Sequence, residues 1–210
     1  MTQDARRIAP AAARNRQPIL DVLRPHLPAR GVVLEIASGS GEHILHFARS
    51  IGGPELMFQP SDPDPAARAS IDAWTATEAV PNVRAAIALD AAATDWPIER
   101  ADAVVCINMI LISPWTASIG LMRGAARILT PGSVLYLYGP FHRDGRPTAP
   151  SNAEFDRDLR RRNPLWGIRD LEAVVALAAE HGFGAPQIEE MPANNLSVVL
   201  RRQAEGAMAS

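Results

Sequence analysis

The chain has 210 residues, 47% of them hydrophobic and 21% charged, which fits one globular domain on a prior of about 100–200 residues per domain. Its net charge is −2, with no long run of one sign, which argues against a general nucleic-acid binder or a membrane-surface protein. All 21 basic residues are arginine, which excludes a Schiff-base enzyme and a P-loop NTPase, since both need a lysine.

Residues 1–14 are small and polar and read as a flexible N-terminus without the apolar h-region of a signal peptide. Asn15-Arg16-Gln17-Pro18 then leads into Ile19, Leu20, Leu23 and Leu27, an amphipathic helix with Pro18 near its start. Asn15 reads either as a cap of this helix or, with Arg16, as a group that closes over a ligand carboxylate. Val32 to Ile36 is a β-branched strand, Ala37-Ser38-Gly39-Ser40-Gly41 a tight turn, and Glu42 to Arg49 a helix with apolar residues at helical spacing. Such a turn lets the backbone approach a ligand closely and aims the helix N-terminus at it. It reads as a nucleotide or nucleoside site at the carboxyl end of the first strand of a doubly wound sheet. The third glycine of a dinucleotide fingerprint is replaced by Ile44. Glu35 at the strand end would repel phosphates. A ligand with positive charge and no phosphate fits better, and S-adenosylmethionine (SAM) is one.

Glu55 to Asp62 reads as the second strand. Asp62 lies 62 − 41 = 21 residues after Gly41, close to the ~20-residue offset at which an acid meets ribose hydroxyls. Residues 64–79 form a helix, and Val83 to Leu89 a third strand ended by Asp90. Ala101 to Asn108 is a near-continuous apolar fourth strand, as expected for one buried on both faces. It carries the one cysteine, Cys106, which cannot form an internal disulfide; with no signal peptide, this points to a reducing cytoplasm. No apolar run reaches ~18 residues, so no membrane span is expected. Met109 to Trp115 lies at the mouth of the sheet. Ile119 to Leu129 is helical, and Ser133 to Tyr138 is the fifth strand. The βαβ rhythm then breaks in a Pro/Gly-rich loop, Gly139 to Pro150. A polar helix follows, Ser151 to Arg162, with Ser151 and Glu154 as a capping box. A helix over Arg169 to Glu180, a hairpin of Ala185 to Met191 with Leu196 to Arg202, and a tail over 203–210 complete the chain.

Taken together, certain stretches carry a resemblance: Asn15-Arg16 with Pro18-Ile19-Leu20, Leu34 to His43, Gln59-Pro60-Ser61-Asp62, Asn108-Met109-Ile110 with Ser113-Pro114-Trp115, Tyr136 to Phe141, Ser151-Asn152 with Phe155-Asp156, Trp166 to Asp170, and Met191 to Leu196. This set resembles the methyltransferase-like 26 type, a class I SAM-dependent methyltransferase family catalogued as a domain of unknown function. The glycine turn alone is similar to motif I of class I methyltransferases, E/D-x-G-x-G-x-G, with Ala37 where the first glycine usually stands. The resemblance implies a Rossmann-like α/β fold over 15–202, with a seven-stranded, mostly parallel sheet, an antiparallel last strand and helices on both faces.

It also implies SAM as cofactor, held by Asn15, Arg16, Glu35, Ala37, Ser38, Gly39, Gly41, His43, Asp62, Asp90, Asn108 and Met109, with Asp90 the candidate for adenine. The implied reaction is in-line methyl transfer to O, N or S of a small-molecule acceptor. Such an enzyme mainly positions its reactants and needs a base only if the acceptor arrives protonated. Candidate bases are His142, Asp156 and Tyr138. Candidate acceptor contacts are Ser113, Trp115, Phe141, Asn152, Arg160, Trp166 and Asn194. Residues 140–170 read as a lid, because Asn152, Asp156 and Arg160 share one helical face and Trp166-Gly167 could anchor and hinge it. No metal is expected: His43 and His46 read as structural. Two other functions remain open: a non-catalytic SAM-binding or partner protein, and an NAD-dependent oxidoreductase, which Ile44 opposes. A nucleic-acid methyltransferase is disfavoured by charge and by the absence of an N/D-P-P-[YFW] tetrapeptide after the fourth strand.

Overall fold

The computed structural model describes residues 5–204. Strand residues alternate strictly between two cores. Leu34, Ile36, Val104, Cys106, Leu135, Leu137, Val198 and Leu200 face one core. Val33, Ala103, Val105, Val134, Tyr136, Tyr138 and Val199 face the other. This period of two on both faces is what a sheet covered by helices on each side requires. The strands are β1 (Gly31–Ile36), β2 (Leu56–Pro60), β3 (Ala101–Ile107), β4 (Leu129–Gly139), the short β5 (Phe141–Arg143), β6 (Arg146–Pro147) and β7 (Arg169–Asp170), then β8 (Gln187–Met191) and β9 (Asn195–Arg201). The helices are α1 (Pro10–Leu23), α2 (Glu42–Ile51), α3 (Pro65–Glu78), α4 (Trp115–Ile128), α5 (Pro150–Arg162) and α6 (Leu171–Glu180).

The central sheet has order β2-β1-β3-β4-β9-β8. The pairs β1–β2, β1–β3 and β3–β4 are parallel, and β9 runs antiparallel to β4. The sheet therefore has six strands, not the expected seven. The missing one is Val83 to Leu89, which forms only isolated bridges, Phe58–Val83 with β2 and Ser61–Ile87 just past its end. Pro60 has no N–H to donate to this segment. Pairing slips by one residue past it, and the Ala86 N–H goes instead to the Asp72 carboxylate at 2.9 Å. A second sheet, β6-β5-β7, lies beyond β4.

Several boundaries differ from expectation. α4 starts at Trp115 rather than Ile119, β4 at Leu129 rather than Ser133, and the expected loop over 139–150 holds β5 and β6. α1 begins at Pro10, so residues 10–14 are helical and Asn15 and Pro18 lie inside the helix; the alanines at 11–13 extend it upstream. α5 is capped by Ala149, with Pro150 in its first turn, not by Ser151. α6 starts at Leu171, because the Asp170 side chain caps it through the Glu172 N–H. Of the expected tail, Gln203 still pairs its N–H with Gly182 at 2.9 Å; positions 205–210 and 1–4 lie outside the described residues. No helix among the described residues is long and apolar enough to cross a membrane.

Candidate active site

Parallel pairing brings the carboxyl ends of β1 to β4 to one edge. Glu35 is level with Pro60 and Val105, and Ile107 with Tyr138. Ala37, Ser38, Asp62, Asn108 and Tyr138 therefore share that edge.

The turn after β1 has left-handed backbone at Ala37 (φ 55°), Gly39 (φ 57°) and Gly41 (φ 91°). That explains why glycine is the usual residue at position 37, where alanine is strained. A Cβ on Gly39 would meet nothing within 4 Å, whereas one on Gly41 would lie 3.1 Å from Ile71 Cα of α3. Gly39 thus leaves open space over the turn, and Gly41 permits packing against α3. Ile44 is buried in the core of α2.

Two carboxylates lie under this turn. Asp62 is buried; its Oδ2 accepts the Gly39 N–H at 3.0 Å and its Oδ1 the Asp64 N–H at 2.9 Å. Two backbone donors fix the orientation of the carboxylate and leave further lone pairs for a ligand hydroxyl. Glu35 is fully buried, and its Oε2 has no hydrogen-bond partner. Burial pushes its pKa up to about 8; the nearby Asp62 adds to the rise, and the Ser38 side chain opposes it. An orphaned buried carboxylate oxygen is a place for a cationic group. Asp90 is exposed after the 83–89 segment, where its Oδ1 accepts the Ala92 N–H at 2.9 Å.

At the β3–β4 end lies a cavity of about 580 Å³. Asn15 from α1, Asn108, Tyr138, Asn152 from α5 and Asn194 from the β8–β9 turn line it. Met109, next to Asn108, is buried. The cavity wall is cross-linked: Asn152 Nδ2 donates to Asn194 O at 3.0 Å and to Thr148 Oγ1 at 2.9 Å. His43 Nε2 lies 2.8 Å from Asn15 Oδ1. Burial, with His46 and Arg16 adding, pushes His43 down to about 4, so it is neutral. A neutral imidazole facing a carbonyl oxygen must donate, which places its proton on Nε2. Burial raises the pKa of the Tyr138 hydroxyl, an effect that the neighbouring Asn15 side chain opposes.

Other expected residues are elsewhere. Arg16 faces a separate cavity with Glu42, His46 and Trp74. Asp156 accepts the Ile168 N–H at 2.7 Å on one oxygen and Arg160 Nε at 2.8 Å on the other. Neither Asp156 nor Arg160 lines the cavity, so of the three polar residues on that face only Asn152 does. The pair instead fastens α5 to the chain before β7. Phe141 is a fully buried core residue. His142 belongs to the small sheet, with Nε2 buried and without a partner. The Ser113 hydroxyl turns back to Met109 O at 2.8 Å. Trp115 is the first residue of α4, with the Arg169 guanidinium 5.8 Å from its ring. Trp166 packs against Leu111, Leu159 and Ile168, and Arg162 sits 5.3 Å from its ring. His43 and His46 diverge, the latter to Gln17 at 2.9 Å.

Three residues not expected take part. Arg14 and Phe155 line the cavity. Arg169 donates to Ile110 O, Ser113 O and Leu165 O at 3.0, 2.6 and 2.8 Å, joining the loop after β3 to the segment before β7. An aromatic residue in the otherwise polar α5 was the available signal for Phe155. Arg14 became legible only once α1 was seen to start at Pro10.

The fold is that of class I methyltransferases. The chain is similar to an O-methyltransferase family protein from Burkholderia thailandensis, at 19% identity and a TM-score of 0.76, over 93% of this chain and 58% of that one. It is similar to the SAM-dependent methyltransferase SibL in its apo form, at 21% identity and a TM-score of 0.75, over 92% and 56%. It also resembles human N-acetylserotonin methyltransferase solved with SAM, at 12% identity and a TM-score of 0.71, over 92% and 53%. The chain spans little more than half the length of these structures. It belongs to the family described as protein of unknown function DUF938, which matches residues 6–202.

Proposed function

We propose that this protein binds SAM over the β1–α2 turn and transfers its methyl group to a small molecule in the adjoining cavity, as an enzyme of the methyltransferase-like 26 type. The observation that carries the proposal is the orphaned Glu35 oxygen beneath a turn left open at Gly39 and beside the oriented Asp62 carboxylate. These groups fit SAM: Glu35, a neutral acid below about pH 8, would give up its proton to face the positive charge, Asp62 would take the ribose hydroxyls, and the Gly39 backbone would allow the close approach. Asp90 and Met109 would complete the nucleoside end, and Asn108 would stand between the two ligands. Bound SAM supplies an electrophilic methyl on a sulfonium, and its loss leaves a neutral thioether.

The chain's own part is to position the acceptor. Tyr138, held protonated by burial, serves as a donor toward the acceptor rather than as a base. The cross-linked 140–170 segment supplies part of the cavity's outer wall through Ser151, Asn152 and Phe155. Buried Cys106, whose thiol is pushed up to about 12, is an inert core residue and suits a reducing cytoplasm. The test is thermal unfolding with added S-adenosylhomocysteine or NAD. A ligand that binds the folded state at 100 times its Kd stabilises by about 2.7 kcal/mol. Stabilisation by S-adenosylhomocysteine alone is expected; stabilisation by NAD alone would overturn the proposal.

A further inference from the structure

The cavity beside the cofactor turn has a one-sided charge pattern. Among the described residues, no aspartate or glutamate lines it, and Arg14 is its single charged residue. Among the described residues Arg14 is exposed and makes no hydrogen bond or ion pair. The neighbouring polar groups point the same way. His43 donates to Asn15 Oδ1, which leaves the Asn15 amino group as a donor. Tyr138 also borders the cavity and carries an O–H that can donate. The rest of the wall mixes neutral amides, Asn108, Asn152 and Asn194 among them, with apolar Leu111, Ile112, Phe155 and prolines. Ile112 and Phe155 are two of only four large hydrophobic residues exposed among those described, so apolar surface is left uncovered here.

We infer that the cavity takes a small carboxylic acid with an apolar or aromatic body, its carboxylate received by Arg14 and the Tyr138 hydroxyl. A cationic amine is excluded by the same wall, which offers it no counter-charge and would set it against Arg14. The inference rests on the methyl-transfer reading only in taking this cavity as the acceptor's.

Three probes with one body separate the head groups: 3-phenylpropanoate, 3-phenylpropanamide and 3-phenylpropylamine, titrated by ligand-observed NMR with and without saturating S-adenosylhomocysteine. The carboxylate should bind at least about tenfold tighter than the amide, the worth of one charge-assisted hydrogen bond, and the amine weakest. Arg14→Ala should abolish that preference, and Tyr138→Phe should reduce it. Circular dichroism of both variants establishes that they fold; Arg14→Lys, which keeps the charge at an exposed site, should retain part of the preference. Equal or tighter binding of the amine or amide overturns the inference, as does a preference that survives Arg14→Ala, or no carboxylate binding up to about 10 mM, weaker than any useful site. Calorimetry with S-adenosylhomocysteine, run in parallel, tests the cofactor reading separately.

Discussion

At the β1–β2 end of the sheet edge, two buried carboxylates, Glu35 and Asp62, lie beneath a turn of left-handed backbone. At the β3–β4 end, a few residues away, the cavity wall holds, among the described residues, neutral amides, one tyrosine and an unpaired arginine, and no carboxylate. The two regions also differ in construction. The first is local: its groups come from residues 35–62 and are oriented by backbone N–H donors. The second is assembled from α1, β4, α5 and the β8–β9 turn, held by side-chain contacts such as Asn152 with Asn194. On the proposed reading, this difference would keep a cationic donor and an anionic acceptor in their own places.

The largest effect is expected from removing the buried acid. Burial raises Glu35 from its ordinary value of 4.5 to about 8. Between those pH values the folded protein holds a proton that the unfolded chain has released. This contribution is complete below pH 4.5 and is lost as pH rises through 8. Relative to wild type, Glu35→Gln should therefore gain on the order of a few kcal/mol between pH 4.5 and 8. Urea unfolding of both proteins at the two pH values reads the gap; parallel pH curves would show that Glu35 is not desolvated.

Asp62→Ala attacks only the cofactor half. Removing an oriented carboxylate should cost roughly 1.5–3 kcal/mol, about 10- to 150-fold in S-adenosylhomocysteine affinity. Binding of 3-phenylpropanoate should be unchanged in that variant; an equal loss at both sites would erase the division between them.

Asp156→Ala sharpens the contrast from the other side. It leaves the Ile168 N–H and Arg160 without their acceptor and should destabilise the fold by about 1–3 kcal/mol, seen as a lower melting temperature. S-adenosylhomocysteine affinity should stay at the wild-type value. A turnover loss without a stability loss would return Asp156 to the active site. The smallest effect is expected from Ala37→Gly. Relieving one left-handed alanine should raise stability by up to about 1 kcal/mol, and a lowered melting temperature would mean the turn is not strained.

The local half was the legible one. A strand, a glycine turn and an acid at a 21-residue offset are contiguous patterns, and Glu35, Gly39 and Asp62 were readable from them. Even there, the close approach of Ile71 to Gly41, which a Cβ would crowd, was not visible. The strand at 83–89 looked like any other until Pro60 in its neighbour removed a ladder donor. The assembled half resisted reading because helical spacing gives a face but not what the face meets. Asn152, Asp156 and Arg160 do share a side of α5. One bonds across to Asn194, however, while the other two are engaged by Ile168 and by each other. Long-range partners of this kind leave no periodic trace.

The most direct test of the central claim is isothermal titration of wild type and Asp62→Ala with S-adenosylhomocysteine and with NAD, at pH 8. The expected result is saturable one-to-one binding of S-adenosylhomocysteine to wild type, weaker binding to the variant, and no heat from NAD. Binding of NAD with none of S-adenosylhomocysteine, or identical S-adenosylhomocysteine affinity in both proteins, would contradict it.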